Sequence, residues 1–280
     1  MGNEVLKGRT ALVTGASQGI GMACARALAQ DGATVVIMGR NKDALARARS
    51  ALAAEIAGSR IEMHVGDAVE EAQVRAALAY AHGLGGRLDI AVATVGGPTF
   101  MPLLMRDLAG VRREMDLNFT TAFLAVRYAV PLMQPGGALV CISTAAVTQA
   151  NFGLSIYAAG KAALERFVRA AAFELGGAGI RINAVRPGAT LSEERAASPE
   201  LAGMAQAFAA ETPLGRLGRP DDIGRVVRFL AGPESAWVTG QTFSADGGMD
   251  QGKGPDFMDA SYGKEVMDRI RRGQSVDKPG

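Results

Sequence analysis

Arg9-Thr-Ala-Leu-Val-Thr14-Gly15-Ala-Ser-Gln-Gly19-Ile-Gly21-Met22 is the stretch on which the fold turns. Residues 9–14 are a short apolar run of strand type, and Met22–Gln30 reads as helix. A glycine pattern, Gly-x-x-x-Gly-x-Gly, therefore joins a strand to a helix. Glycines there let the backbone approach a pyrophosphate, while the helix N-terminus offers unpaired N–H groups and a positive dipole end. A purely structural turn is the competing reading.

Working outward, Thr34–Met38 is a second strand and ends in Gly39-Arg40-Asn41. In a dinucleotide site the residues closing this strand meet the adenine ribose. A carboxylate there accepts from a 2′-hydroxyl, whereas an arginine accommodates a 2′-phosphate. Arg40 thus favours NADP(H), with NAD(H) as the alternative if Arg40 only closes a loop. Asn41 has the right chemistry to cap a helix over Ala44–Ala57. A third strand, Arg60–Val65, ends at Gly66-Asp67; a helix over Val69–Leu84 and a strand over Leu88–Val92 follow. Such βα alternation predicts an α/β domain, a doubly wound parallel sheet of about seven strands with helices on both faces. Next come a helix over Met105–Met133 carrying Asn118, a turn at Pro135-Gly-Gly, and a strand Ala138–Ile142 ending at Ser143. A later strand, Ile180–Val185, runs into Arg186-Pro187-Gly188.

Between those strands lies Gly153-Leu-Ser-Ile-Tyr157-Ala-Ala-Gly-Lys161, with good helix formers as far as Glu174 and a stop at Gly176-Gly177. Positions i and i+4 share a helix face about 6 Å apart along the axis. An ammonium beside a phenol lowers the tyrosine pKa from about 10 toward neutrality. A tyrosine so tuned is a usable general acid or base. The pair alone is weak, because a surface Tyr with an incidental Lys has the same spacing.

Together these features identify a resemblance. Thr14-Gly-x-x-x-Gly-x-Gly21, Asn118, Ser143 and Tyr157-x-x-x-Lys161 stand in the order of the short-chain dehydrogenase/reductase family. Asn183-Ala-Val-Arg-Pro187-Gly188, Leu217-Gly-Arg-Pro220 and Thr239-Gly-Gln-Thr-Phe-Ser-Ala-Asp246-Gly-Gly248 agree. The resemblance covers roughly residues 5–250 and implies a single Rossmann-type domain over 1–250, followed by an extension over 251–280. It implies Tyr157 as general acid/base, Ser143 holding the substrate oxygen, and Lys161 lowering the tyrosine pKa and bonding the nicotinamide ribose. Asn118 would hold a water that relays protons. Gly15, Ser17, Gln18, Gly19, Ile20 and Gly21 would meet the pyrophosphate and ribose. Arg40 and Asn41 would stand at the adenosine end, Asp67 and Ala68 at the adenine, Gly96 at the ribose, and Pro187, Gly188 and Thr190 at the carboxamide. Two departures stand out. Ala93-Thr94-Val95-Gly96 replaces the usual Asn-Asn-Ala-Gly, which bears on local rigidity more than on chemistry. The tail Met249–Gly280 is longer than usual, with a short helix expected around Tyr262–Arg272; it either covers a subunit or the site mouth, or is disordered, the default for its composition.

Composition narrows the class. The chain has 280 residues, 48% hydrophobic, with 36 Gly, enough for a large core with close backbone approaches. A net charge of +2, with scattered basic residues, argues against nucleic-acid or membrane-surface partners. Cys24 and Cys141 sit in apolar contexts and read as buried thiols; His64 and His82 lack partners at metal-ligand spacing, so no metal is expected. No signal peptide, myristoylation pattern or membrane-spanning run is visible, as expected of a cytoplasmic-type protein.

The substrate is less legible. Pocket walls are expected from Gly97–Leu104, Val147–Ser155 and Leu191–Phe208, bringing Phe100, Met101, Leu103, Leu104, Phe152, Leu154, Leu191, Leu201, Met204 and Phe208, with Leu191–Ala210 as a lid. Apolar walls suit a small hydrophobic ketone or secondary alcohol. A 3-oxoacyl-[acyl-carrier-protein] reductase is the alternative, weakened by Gln134 and Ala178 where such relatives present basic residues, though Arg127 and Arg169 lie nearby. From a different class, a non-catalytic dinucleotide sensor would be favoured by loss of Tyr157 or Lys161, and both are present. The resemblance also implies a homo-oligomer, a tetramer or dimer, compatible with close packing through Ala162, Ala163, Ala170 and Ala171.

Overall fold

The computed structural model describes residues 4–251 and 263–274. The chain separates into two compact units, Met1–Asp250 and Gln251–Gly280. In the first, apolar runs become strands buried on both faces. Thr10–Thr14 (β1) and Leu88–Ala93 (β4) are buried at every position, the pattern of a parallel sheet covered on both sides. Thr34–Gly39 (β2), Ile61–Val65 (β3), Met133–Ile142 (β5), Arg181–Pro187 (β6) and Thr242–Ala245 (β7) complete it. The seven strands pair in the order β3-β2-β1-β4-β5-β6-β7, all parallel. Two buried apolar layers lie on opposite faces. Leu28, Val35 and Ile223 belong to one, and Leu78, Leu139 and Leu164 to the other.

The helices are Gly19–Gln30 (α1), Lys42–Glu55 (α2), Glu71–Gly85 (α3), Leu108–Met115 (α4), Thr121–Ala129 (α5), Ser155–Leu175 (α6), Glu193–Ala196 (α7), Ala202–Glu211 (α8) and Pro220–Ala231 (α9). In the second unit the described part contains Lys264–Arg271 (α10), within the helix expected over Tyr262–Arg272; the expectations for the rest of the tail fall largely outside the described residues. Among the described residues no helix is long and apolar enough to cross a membrane.

Strand order reverses between β1 and β4, which opens a crevice at their carboxyl ends. Here α1 comes very close to β1. A Cβ on Gly21 would fall 2.8 Å from the Thr94 hydroxyl and closer still to the Gly15 carbonyl, so only glycine fits. The departure at Ala93-Thr94-Val95 is compensated locally. Thr94 donates its backbone N–H to Thr14 Oγ1 at 3.2 Å and its hydroxyl to the Thr14 carbonyl, tying β4 to β1.

Two expectations are corrected. The helix expected over Met105–Met133 is broken: α4 and α5 are separated by a π-turn at Asp116–Thr120 and end in a short 3₁₀ turn at Val130–Leu132. The sheet strand begins at Met133 rather than Ala138, because Gln134–Gly137 forms a bulge in its pairing with β4. Of the four alanines of α6, Ala171 is buried in the core while Ala170 is exposed, since successive helix residues are turned about 100° from one another.

The loop leading to α4 is fastened by a buried ion pair between Arg106 and Glu114, whose side chains are 4% and 3% exposed. Arg106 also donates to Thr99 O at 2.7 Å, to Gly153 O at 3.0 Å and to Met101 O at 3.2 Å, and Glu114 Oε1 accepts from Thr99 N at 3.0 Å. Removing one partner strands a buried charge. Arg106→Met is therefore expected to lower unfolding free energy by about 3–5 kcal/mol in urea titrations, with much of it recovered in the Arg106→Met/Glu114→Met double variant. A single-variant loss below about 1 kcal/mol would show that the pair is not a fastening point.

Candidate active site

The π-turn at Asp116–Thr120 brings Asn118 fully into the interior. Its Oδ1 accepts from Gly97 N at 2.9 Å, and its Nδ2 donates to Gly97 O at 3.1 Å and to Glu114 O at 3.0 Å. The side chain thus clamps the segment after β4 against α4. Gly96 sits at this junction. A Cβ there would lie 2.6 Å from Lys161 Nζ and 2.8 Å from Asn118 Oδ1, so the lysine, the asparagine and the Gly96 backbone converge on one point.

Lys161 lies one turn beyond Tyr157 on α6, as the spacing predicts. It is 3% exposed and its Nζ donates to Ile142 O at 2.7 Å. Burial pushes its pKa down to about 8. Tyr157 behaves otherwise than expected. Its pKa is raised, first by burial, against the pull of a hydrogen bond with the Thr144 hydroxyl and with a further rise from the Glu114 charge. The lysine's ammonium is turned to the strand carbonyl, so it does not draw the phenol toward neutrality, and desolvation prevails.

The Ser143 hydroxyl is engaged with the protein itself. It donates to Glu165 Oε1 at 2.6 Å, and Glu165 in turn receives Arg186 Nη2 at 2.6 Å and Nε at 3.0 Å. Arg186 reaches on to Asp250 Oδ2 at 2.7 Å. Thr144, the next residue, is extended (φ −164°, ψ 148°) and its hydroxyl accepts from Ala146 N at 3.2 Å. Ser143 and Thr144 border one cavity with Tyr157.

The residues expected around a dinucleotide lie along the crevice. Gly15, Ser17, Gln18, Gly19, Ile20 and Gly21 form the turn from β1 into α1, held by Ala16 N donating to Met38 O at 3.1 Å. No side chain caps α1 and no acidic residue occupies its first turn, which leaves its leading N–H groups for an anion. Arg40 follows β2 with its side chain 77% exposed, its Nη1 3.7 Å from Asp67 Oδ2. Asn41 Oδ1 caps α2 by accepting from Ala44 N at 2.9 Å, and Asp67 Oδ1 accepts from Val69 N at 3.2 Å beside buried Ala68. Gly96, Pro187, Gly188 and Thr190 border one cavity with Thr144, Tyr157 and Lys161.

That cavity measures about 590 Å³. Phe100, Leu154, Leu191, Leu201, Met204 and Phe208 line it as expected, but Met101, Leu103, Leu104 and Phe152 do not. Leu104 is 97% and Phe152 90% exposed, so both project outward. Gln149, Asn151 and Arg195, inside the expected wall segments though not singled out there, also border it, and Met249 joins them from outside those segments. A second cavity, of about 620 Å³, lies around Leu6, Asp89 and Trp237 and holds none of these groups. Among the described residues, no cluster of three or more His, Cys, Asp or Glu could hold a metal ion.

Comparison with known proteins bears on this geometry. A family model described as "Enoyl-(Acyl carrier protein) reductase" matches residues 15–250. The 7alpha-hydroxysteroid dehydrogenase of Escherichia coli K12 is 33% identical over 250 residues, covering 88% of this chain and 96% of that protein. The cis-4-hydroxycyclohexanecarboxylate dehydrogenase of Sinomonas cyclohexanicum is 36% identical over 252 residues, covering 88% of this chain and 98% of that protein. The fold is similar to a short-chain dehydrogenase from Burkholderia cenocepacia solved in complex with NADP, with TM-score 0.80 and 30% identity, covering 88% of this chain and 99% of that one. With its glycine turn, parallel sheet and Tyr157/Lys161 helix in one crevice, this chain belongs to the short-chain dehydrogenase/reductase family, NAD(P)-dependent oxidoreductases acting on CH–OH and C=O groups.

Proposed function

We propose that the protein interconverts a hydrophobic ketone and its secondary alcohol with NADP(H), Tyr157 serving as proton donor in reduction. The observation that carries this reading is Tyr157 one helical turn from Lys161, both bordering an apolar cavity together with Thr144 and Ser143. When bound, the dinucleotide supplies a hydride to the carbonyl carbon or removes one from the alcohol. The free N–H groups of the Gly15–Gly21 turn and α1 suit its pyrophosphate, and Arg40 suits a 2′-phosphate. Asp67 and Ala68 would meet the adenine, Asn41 would close the adenosine end, Gly96 would border the ribose, and Pro187, Gly188 and Thr190 the carboxamide.

As hydride arrives, negative charge grows on the substrate oxygen and needs donors. Thr144 would hold that oxygen and Tyr157 would protonate it. Burial keeps the phenol protonated, which supports reduction as the favoured direction. With its pKa near 8, Lys161 is mostly an ammonium at neutral pH, fixed by the Ile142 carbonyl, and would face the ribose. Asn118, its amide spent on Gly97 and Glu114, would hold the Gly96–Gly97 backbone against that ammonium. Ser143, joined to Glu165, would support the strand end rather than the substrate. The two named relatives act on a hydroxysteroid and a hydroxycyclohexanecarboxylate, and both ring alcohols accord with apolar walls.

Two outcomes follow from this assignment. Thr144→Ala should lower kcat for ketone reduction by about 10²-fold or more, Thr144→Ser should keep most of it, and Ser143→Ala should stay within a few-fold of wild type. Activity lost in Ser143→Ala but kept in Thr144→Ala would reverse the roles. Fluorescence titration should show NADPH bound more tightly than NADH, with Arg40→Ala weakening NADPH about tenfold and leaving NADH nearly unchanged. Tighter NADH binding by wild type would sink the Arg40 argument.

A further inference from the structure

The polar groups around the 590 Å³ cavity are nearly all engaged with the protein itself. Thr94 and Ser143 give their hydroxyls to Thr14 O and Glu165. Thr190 donates to Gly188 O at 2.9 Å, Gln149 Nε2 donates to Met249 O at 2.7 Å, and Asn151 is turned to Gln149. Two polar poles remain. One is Tyr157 with Thr144, whose hydroxyl accepts from Ala146 N at 3.2 Å and keeps its proton to donate, and Lys161 is buried beside them. The other is Arg195 on α7, exposed, its guanidinium without a carboxylate partner among the described residues. Among the described residues, Arg195 and Lys161 are the only charged residues bordering the cavity, and no acidic residue does so. The space between the poles is walled by Phe100, Leu154, Leu201, Met204 and Phe208.

An unpaired arginine at the rim of an otherwise apolar cavity attracts an anion, and its planar fork matches a carboxylate in two parallel hydrogen bonds. A neighbouring carboxylate would have cancelled that preference. Of the two carboxylates on the same short helix, Glu193 is instead paired with Arg219 at 2.7 Å, and Glu194 forms no ion pair with Arg195 among the described residues. From this arrangement we infer that the substrate is an amphipathic oxo acid or hydroxy acid. Its carbonyl or alcohol oxygen meets Tyr157 and Thr144, its apolar body lies along Phe100, Leu154, Leu201, Met204 and Phe208 beside the cofactor's end of the cavity, and its carboxylate pairs with Arg195. This rests on the carbonyl-reduction reading and narrows its substrate to one charge class.

The test uses the full chain with NADPH and matched pairs of oxo acids and their methyl esters, from 4-oxocyclohexanecarboxylate up to an oxo-steroid acid. Wild type should prefer the acid over its ester about tenfold or more in kcat/KM. In Arg195→Gln that preference should fall to about twofold, mainly through KM, with NADPH affinity unchanged; Arg195→Lys should restore part of it. Equal use of acid and ester by wild type overturns the inference while leaving ketone reduction intact. So does an Arg195→Gln variant that keeps the acid preference but loses NADPH affinity, which would place Arg195 on the cofactor. Turnover of no pair despite tight NADPH binding would refute carbonyl reduction itself, and the inference with it.

Discussion

The site is organised around the burial of one ammonium. Lys161 cannot enter the interior without a fixed acceptor, and the Ile142 carbonyl at the end of β5 provides it. Its neighbours answer to that placement. Gly96 carries no Cβ because the Lys161 Nζ and Asn118 Oδ1 already occupy the space. The π-turn at Asp116–Thr120 rotates Asn118 inward so that its amide holds Gly97. A regular helix over the same residues would shift the register of everything after it.

The same burial sets the chemistry. Desolvation lowers the lysine toward 8 and raises the tyrosine, so the two groups are moved by one cause in opposite directions. The lysine stays largely charged at neutral pH and the phenol stays protonated, an arrangement suited to giving a proton to an oxyanion. Glu114 adds to the rise at Tyr157 while its own charge is met by Arg106, linking the catalytic helix to the loop after β4.

Much of this is legible in the sequence, for identifiable reasons. The parallel sheet follows from apolar runs alternating with helical periods, and the crevice from Gly15–Gly21 between a strand and a helix. Tyr157 and Lys161 are legible because helical spacing fixes their neighbourhood. Asn41 caps its helix as its type and place suggest. Side-chain direction is harder. Ser143 and Thr144 are adjacent hydroxyls at the end of β5, and nothing in their order says that Ser143 turns to Glu165. The break at Asp116 leaves no proline or glycine as a marker. Leu104 and Phe152 belong to the expected wall segments yet face outward, because loop residues lack a period from which to read a face.

The central claim is that Tyr157 delivers the proton while contributing little to the hold on the cofactor. Tyr157→Phe, titrated with NADPH and then assayed for ketone reduction, addresses this most directly. The account predicts an NADPH affinity within about threefold of wild type and a loss of turnover between about 10² and 10⁴, the span of general acid catalysis. Turnover kept near wild type, with NADPH still bound, would contradict it and move the proton donor to another group.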